Sequence, residues 1–149
     1  MAKLRISDDW WTAPAESESG RLILVTGRRG LDNVIETGVY RYRVEVTWPY
    51  EGDGKGLPNY TDSKVMEEVT DALKDSFDRD PAAVLTGIYT GDGQRNLVFY
   101  TRSLHIFQSK FNETLAPFPA LPLQFEAEED PEWQEYREMS QCEVAEGED

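Results

Sequence analysis

The stretch that decides the fold is Tyr40 to Trp48, YRYRVEVTW. Tyr40, Tyr42, Val44, Val46 and Trp48 alternate with Arg41, Arg43, Glu45 and Thr47. A pleated strand sends successive side chains to opposite faces, so one face here is apolar and the other polar. Such a half-covered strand belongs to an antiparallel or mixed sheet. Pro49 ends it, because proline has no N–H to give a ladder.

Working outward, EGDGKGLPNY reads as a loop. Asp62 is the expected cap of a helix reaching about Phe77. Val65, Met66, Val69, Ala72, Leu73 and Phe77 recur at the helical period and form its apolar stripe. Asp80-Pro81 stops it. Ala83 to Thr90 and Arg95 to Thr101 read as strands joined by the turn residues Gly91-Asp92-Gly93. Ser103 caps a second helix, with Leu104, Phe107, Phe111 and Leu115 on its apolar side. Leu121 to Phe125 is a short strand, held to an edge or a strand start by Pro122. Asp130 and Pro131 open a last helix running to Met139.

Upstream, Trp10-Trp11-Thr12-Ala13 and Arg21 to Thr26 flank the break PAESESG, and Gly27-Arg28-Arg29-Gly30 reads as a turn. This predicts an N-terminal β-hairpin that extends the sheet or covers its other face. From residue 40 the order is β-α-β-β-α-β, then a helix. The expected fold is α+β, a ferredoxin-like split βαβ core with both long helices on one face. The expected organisation is one domain over residues 1–139 and an acidic tail over 140–149.

The totals restrict the function. The chain has 149 residues, 39% apolar, with four Trp, seven Tyr and six Phe. That is enough to bury a core without staples. A single cysteine, Cys142, forms no internal disulfide. No leader-like or membrane-length apolar run occurs, so a cytoplasmic protein is expected. The net charge of −14 is uneven: residues 126–149 hold eleven carboxylates and one arginine, −10 in all. A terminus of that kind repels phosphate and anionic lipid. It is a solvating appendage or a surface for a basic partner.

Several chemistries lack their residues. His105 is the single histidine, on a predicted helix with no nucleophile motif beside it. Cys142 has no CxxC partner. GDG at 52–54 and at 91–93 reads as turn chemistry, because EF-hand spacing and the GxxxxGK[ST] loop are both missing. An RNA-recognition sheet shares the element order and would offer Tyr89, Phe99 and Tyr100. The basic-aromatic signature is missing and the acidity opposes nucleic acid. No catalytic residue, metal or cofactor is expected.

The segment DPEWQEYREMS, residues 130–140, sets Trp133 and Tyr136 three apart within acidic surroundings. On a helix, positions three apart share a face. The pair reads as a structural latch that closes the fold, the alternative being a ligand-binding edge.

The N-terminal Trp strand with its Glu/Gly-rich break, Gly56-Leu57-Pro58, the strand VFYTR (98–102) and Asp130-x-x-Trp133-x-x-Tyr136 together resemble the bacterial domain of unknown function 695, over about residues 9–139. That family has no assigned activity, so the resemblance supplies no mechanism. It is distantly similar to the regulator of ribonuclease E activity B family, which is acidic, ferredoxin-like and non-catalytic. That similarity implies protein binding, for example inhibition of a basic nuclease.

The expected function is a non-enzymatic protein-interaction or regulatory module. Its partner would be another, basic protein, with self-association into a homodimer as a further possibility, and neither nucleic acid nor membrane. The alternative is a small-molecule-binding or carboxylate-dependent hydrolytic domain. Its cleft would lie between the hairpin and the central sheet. Candidate contacts for either are Arg41, Arg43, Tyr89 and Tyr100.

Overall fold

The computed structural model describes residues 5–51 and 56–142. The first GDG and residues 143–149 of the acidic tail lie outside them. In chain order the elements are β1 (Asp9–Glu16), β2 (Leu22–Arg29), α1 (Asp32–Glu36), β3 (Tyr42–Pro49), α2 (Tyr60–Arg79), β4 (Ala83–Gly91), β5 (Gln94–Thr101), α3 (Leu104–Leu115), β6 (Gln124–Glu129) and α4 (Gln134–Ser140). The fold is α+β. The six strands form one sheet in the order β1-β2-β4-β5-β3-β6, with every neighbouring pair antiparallel. The N-terminal hairpin extends the sheet through β2 beside β4.

The alternation in β3 divides the protein into two layers. Val44, Val46 and Trp48 face α2 and α3, where they pack with Met66, Val69, Leu73, Phe77, Leu85, Leu97, Phe99, Phe107 and Phe111. Phe77, Phe99 and Phe107 make mutual ring contacts at 5.1–5.5 Å. Burying an aromatic or a branched aliphatic side chain contributes about 1.5–3 kcal/mol each, so this layer dominates the stability. The opposite face holds two smaller clusters. Leu31, Val34, Tyr40, Val84, Val98, Tyr100 and Trp133 form one, and Trp11, Ala13, Val25 and Met139 the other. With core on both sides, β4 and β5 lose the polar alternation of a half-buried strand.

Several local expectations are corrected. Tyr40 lies before β3 and packs on the face opposite Val44, because the chain turns at Val39–Arg41, where Arg41 N–H bonds Val39 O at 3.1 Å. The cap of α2 is Asn59, whose side chain accepts from Asp62 N–H at 2.8 Å. The helix therefore begins earlier than Asp62. Ser103 caps α3 by accepting from Ile106 N–H. Within its stripe Phe107 and Phe111 are buried, while Leu104 is exposed. Gly27 to Arg29 is strand, so the turn falls later, at Gly30 with φ 73°. The last strand is shifted past Pro122 to Gln124–Glu129. α1 is too short to present a helical stripe and has no counterpart in the periodicity reading.

Candidate functional site

The sheet face away from α2 and α3 is where the candidate residues meet. Arg43 in β3 lies directly across from Tyr100 in β5, and Tyr89 in β4 lies across from Asn96. Side chains opposite one another share a face. Arg43 and Tyr100 are therefore neighbours, with Tyr89 further along the same surface. Arg41 is exposed before the strand begins, and its carbonyl accepts from Asp130 N–H at 2.8 Å.

Tyr100 is closed over by the end of the chain. The ring of Trp133 stacks on it with centroids 4.1 Å apart and planes 15° apart. Trp133 is 1% exposed, and its indole N–H donates to Tyr40 O at 2.9 Å. Tyr136 meets Trp133 edge-on at 5.4 Å and donates its hydroxyl to Arg28 O. The sequence placed these two residues on one helical face. Instead Trp133 stands just before α4 in the left-handed region, φ 57° and ψ 39°. A bulky residue held there is strained and stays only where its surroundings overdetermine it. The stacking, the indole hydrogen bond and the burial supply that determination.

Asp130 organises the turn. It is not the residue next to the helix, so the expected cap position is corrected, but its carboxylate does accept from Gln134 N–H at 2.9 Å and Glu135 N–H at 3.0 Å. It also accepts from the Tyr100 hydroxyl at 2.7 Å. Tyr136 N–H donates to that same hydroxyl at 3.2 Å. Burial alone would raise the Asp130 pKa. The Tyr100 hydroxyl, the two backbone N–H groups and Arg43 reverse this and hold it below the ordinary aspartate value. Tyr100 is pushed up, first by burial and then by Asp130.

Next to this closed region the face is open and polar. A cleft of about 360 Å³ lies where the hairpin meets the central strands, lined by Glu45, Tyr89, Asp92, Gln94 and Asn96 among others. Arg43 does not line it but pairs with Glu45, which does, at 3.2 Å, and with Glu128 at 3.6 Å. Its Nε is buried without a hydrogen-bond partner. Burial works against the Arg43 charge, but Glu45 outweighs it and raises the pKa. Burial pushes the Tyr89 hydroxyl up to about 12, so it stays protonated and is no base at neutral pH. Among the described residues no group of three or more His, Cys, Asp or Glu is placed to hold a metal ion. None of the described helices is long and apolar enough to cross a membrane. His105 and Cys142 are both exposed.

A buried charge network went unread in the sequence. Arg28 is fully buried in the helix-side layer, where it bonds Asp78 at 2.7 Å, Leu85 O at 3.1 Å and Ser7 O, with Trp10 4.8 Å above it. Lys74 joins Asp78 at 3.3 Å and Asp8 at 2.9 Å. The β2 alternation puts Arg28 on the face of Thr26 and the exposed Leu24, so the period alone gives no sign of its burial.

The fold and this face define a class: an antiparallel α+β sheet with its two long helices, α2 and α3, on one side and its own C-terminal segment seated on the other. The chain belongs to a family of unknown function, DUF695, whose model matches residues 9–139. No curated protein and no solved structure matches it.

Proposed function

We propose that this protein is a non-enzymatic interaction or regulatory module, acting in the cytoplasm, whose partner is a basic protein. The observation that carries the reading is the exposed acidic edge of the folded domain. All six residues of β6 are exposed, Glu126, Glu128 and Glu129 among them, and past the buried Asp130 the exposed Glu132, Glu135 and Glu138 follow with Arg137 the one base. The expected tail over 140–149 would extend the same charge. Clustered like charge of this kind steers an oppositely charged partner and makes association salt-dependent. Within the reading, Trp133 and Tyr136 are the structural latch of a single domain over residues 1–139. The spatial order β6-β3-β5-β4 supports taking residues 42–129 as a ferredoxin-like unit.

The test is affinity capture on the full chain, on a chain lacking residues 140–149, and on a Glu126→Lys/Glu128→Lys/Glu129→Lys variant, at low and raised salt. The reading expects basic proteins retained by the full chain and lost on charge reversal or with salt. Capture indifferent to both overturns it.

One observation favours a second reading, a small-molecule site in the cleft beside Tyr89. Behind the lining residue Glu45, its ion-pair partner Arg43 keeps a buried Nε without an acceptor, and buried donors are rarely left so. A thermal-shift screen of small carboxylic acids and sugars tests it. A hit that Arg43→Met abolishes supports the cleft, and a screen without shifts removes it.

A further inference from the structure

The two edges of the sheet differ. β1 carries Pro14, a residue that blunts an edge. β6 has no proline over Gln124–Glu129 and pairs with β3 alone. Its hydrogen-bonding direction follows from the ladder. Asp130 N–H bonds Arg41 O, continuing the register in which Tyr42 faces Glu129 and Arg43 faces Glu128. Antiparallel pairs alternate between bonded and non-bonded. The N–H and C=O groups of Gln124, Glu126 and Glu128 therefore turn toward β3. Those of Phe125, Ala127 and Glu129 turn outward, where no described strand meets them.

The two faces of this edge are chemically distinct. Phe125 and Ala127 lie opposite Val46 and Val44, on the α3 side. Phe125 is 48% exposed and Leu104 40%, and a pocket of about 190 Å³ lies between them, lined by Val44, Phe107, Gln108 and Ala127. Glu126 and Glu128 lie opposite Glu45 and Arg43, on the other face. Acidic residues alone would protect an edge from unwanted pairing. They do not account for an open phenylalanine beside an apolar pocket on the same strand.

We propose that the outer edge of β6 is a docking site for an extended segment of another protein, added as a seventh strand. The segment would alternate Lys or Arg with apolar residues. Directly opposed residues share a face, so its basic residues would meet Glu126 and Glu128 while its apolar residues enter the pocket beside Leu104. Charge chooses the occupant. A second copy pairing through β6 would set glutamate against glutamate, which is destabilising. This inference rests on the interaction-module reading and names its surface.

The experiment uses the full chain and three synthetic probes: a fluorescent peptide alternating Lys with Val or Leu, a peptide of the same composition with Lys and apolar residues in two blocks, and the alternating peptide N-methylated at every second amide. Anisotropy at low salt measures affinity, and amide hydrogen exchange locates the contact. The alternating peptide should bind about tenfold more tightly than the block peptide, the difference expected from one or two well-made hydrogen bonds and a filled pocket. It should slow exchange at Phe125, Ala127 and Glu129. N-methylation on the paired side should remove binding. Ala127→Pro removes an outward N–H while leaving the β3 ladder intact, and should weaken binding by about tenfold with the melt little changed. Equal binding of alternating and block peptides, unchanged binding by Ala127→Pro, or a dimer in sedimentation that Ala127→Pro abolishes would each overturn the proposal. If a basic protein retained in a salt-sensitive way binds Ala127→Pro as it binds the parent, the edge assignment fails and the broader reading stands. Capture that ignores charge reversal defeats the broader reading itself.

Discussion

Tyr100 and Trp133, thirty-three positions apart, lie ring on ring at 4.1 Å in the centre of the face away from the long helices. Tyr100 comes from a central strand and Trp133 from the turn before the last helix. Their contact joins the end of the described chain to the middle of the sheet.

Trp133→Ala should lower stability by about 3–5 kcal/mol, the usual cost of emptying a buried aromatic site. Urea denaturation followed by tyrosine and tryptophan fluorescence measures it. A midpoint equal to that of the parent chain would show that the indole contributes nothing to closure.

Tyr100→Phe keeps the stack and removes one donor to Asp130. The carboxylate still has the two backbone N–H groups of Gln134 and Glu135. The expected loss is about 1–2 kcal/mol, at the modest end for a bond to a charged acceptor. A double-mutant cycle with Asp130→Asn isolates the coupling, and strict additivity would argue against a direct bond.

The pH dependence has a definite sign. Asp130 is held below its ordinary pKa in the folded protein, against the opposing effect of burial, by Tyr100, by backbone N–H groups and by Arg43. Its contribution is complete above the unfolded value of about 4 and is lost as pH falls through the lower folded value. The stability gap between the parent and Asp130→Asn should stay level through neutral pH and shrink in acid. A gap that grows on acidification contradicts this.

Glycine positions offer a contrast between rigid and soft neighbours. A Cβ on Gly27 would stand 2.3 Å from the Trp11 ring, and a Cβ on Gly87 2.5 Å from the Met139 sulfur. The indole is fixed in the hairpin, whereas methionine has three bonds about which to move. Gly27→Ala should cost about 1–3 kcal/mol, and Gly87→Ala distinctly less. Thermal melts of the two variants side by side decide it, and the reverse ranking would refute the packing argument.

Arg28→Met should destabilise by roughly 3 kcal/mol, because it leaves the partly buried Asp78 with Lys74 as its remaining ion-pair partner and two carbonyls without their donor. Arg28→Met with Asp78→Leu should recover part of the loss. Failure of any recovery would mean that the carbonyl bonds to Ser7 and Leu85 outweigh the ion pair.

The sheet was legible wherever one face is wet. Val44, Val46 and Trp48 against Arg43, Glu45 and Thr47 display the period directly, and the hairpin at Asp92-Gly93 is announced by residues that accept positive φ, 54° and 83°. The apolar faces of α2 and α3 follow from their stripes. What stayed hidden depends on contacts distant in sequence. No local rule places Arg28 inside, since an arginine is buried only where Asp78 and two carbonyls wait for it. No periodicity foretells that Trp133 leaves the helix for a left-handed turn. Of the four candidate contacts, Arg43 and Tyr100 are adjacent across β3 and β5, Tyr89 lines the cleft, and Arg41 lies outside the strands. The outward-facing groups of β6 emerge only from its register with β3.

The indole of Trp133 reaches back 93 residues to Tyr40, and the hydroxyl of Tyr136 reaches back 108 to Arg28. During synthesis these bonds cannot form until the ribosome has released residue 136. Tyr100, Val84 and Val98 therefore stay without their indole cover while the thirty-three residues from Tyr100 to Trp133 are made, an interval in which a chaperone or a stray strand has an opportunity to bind.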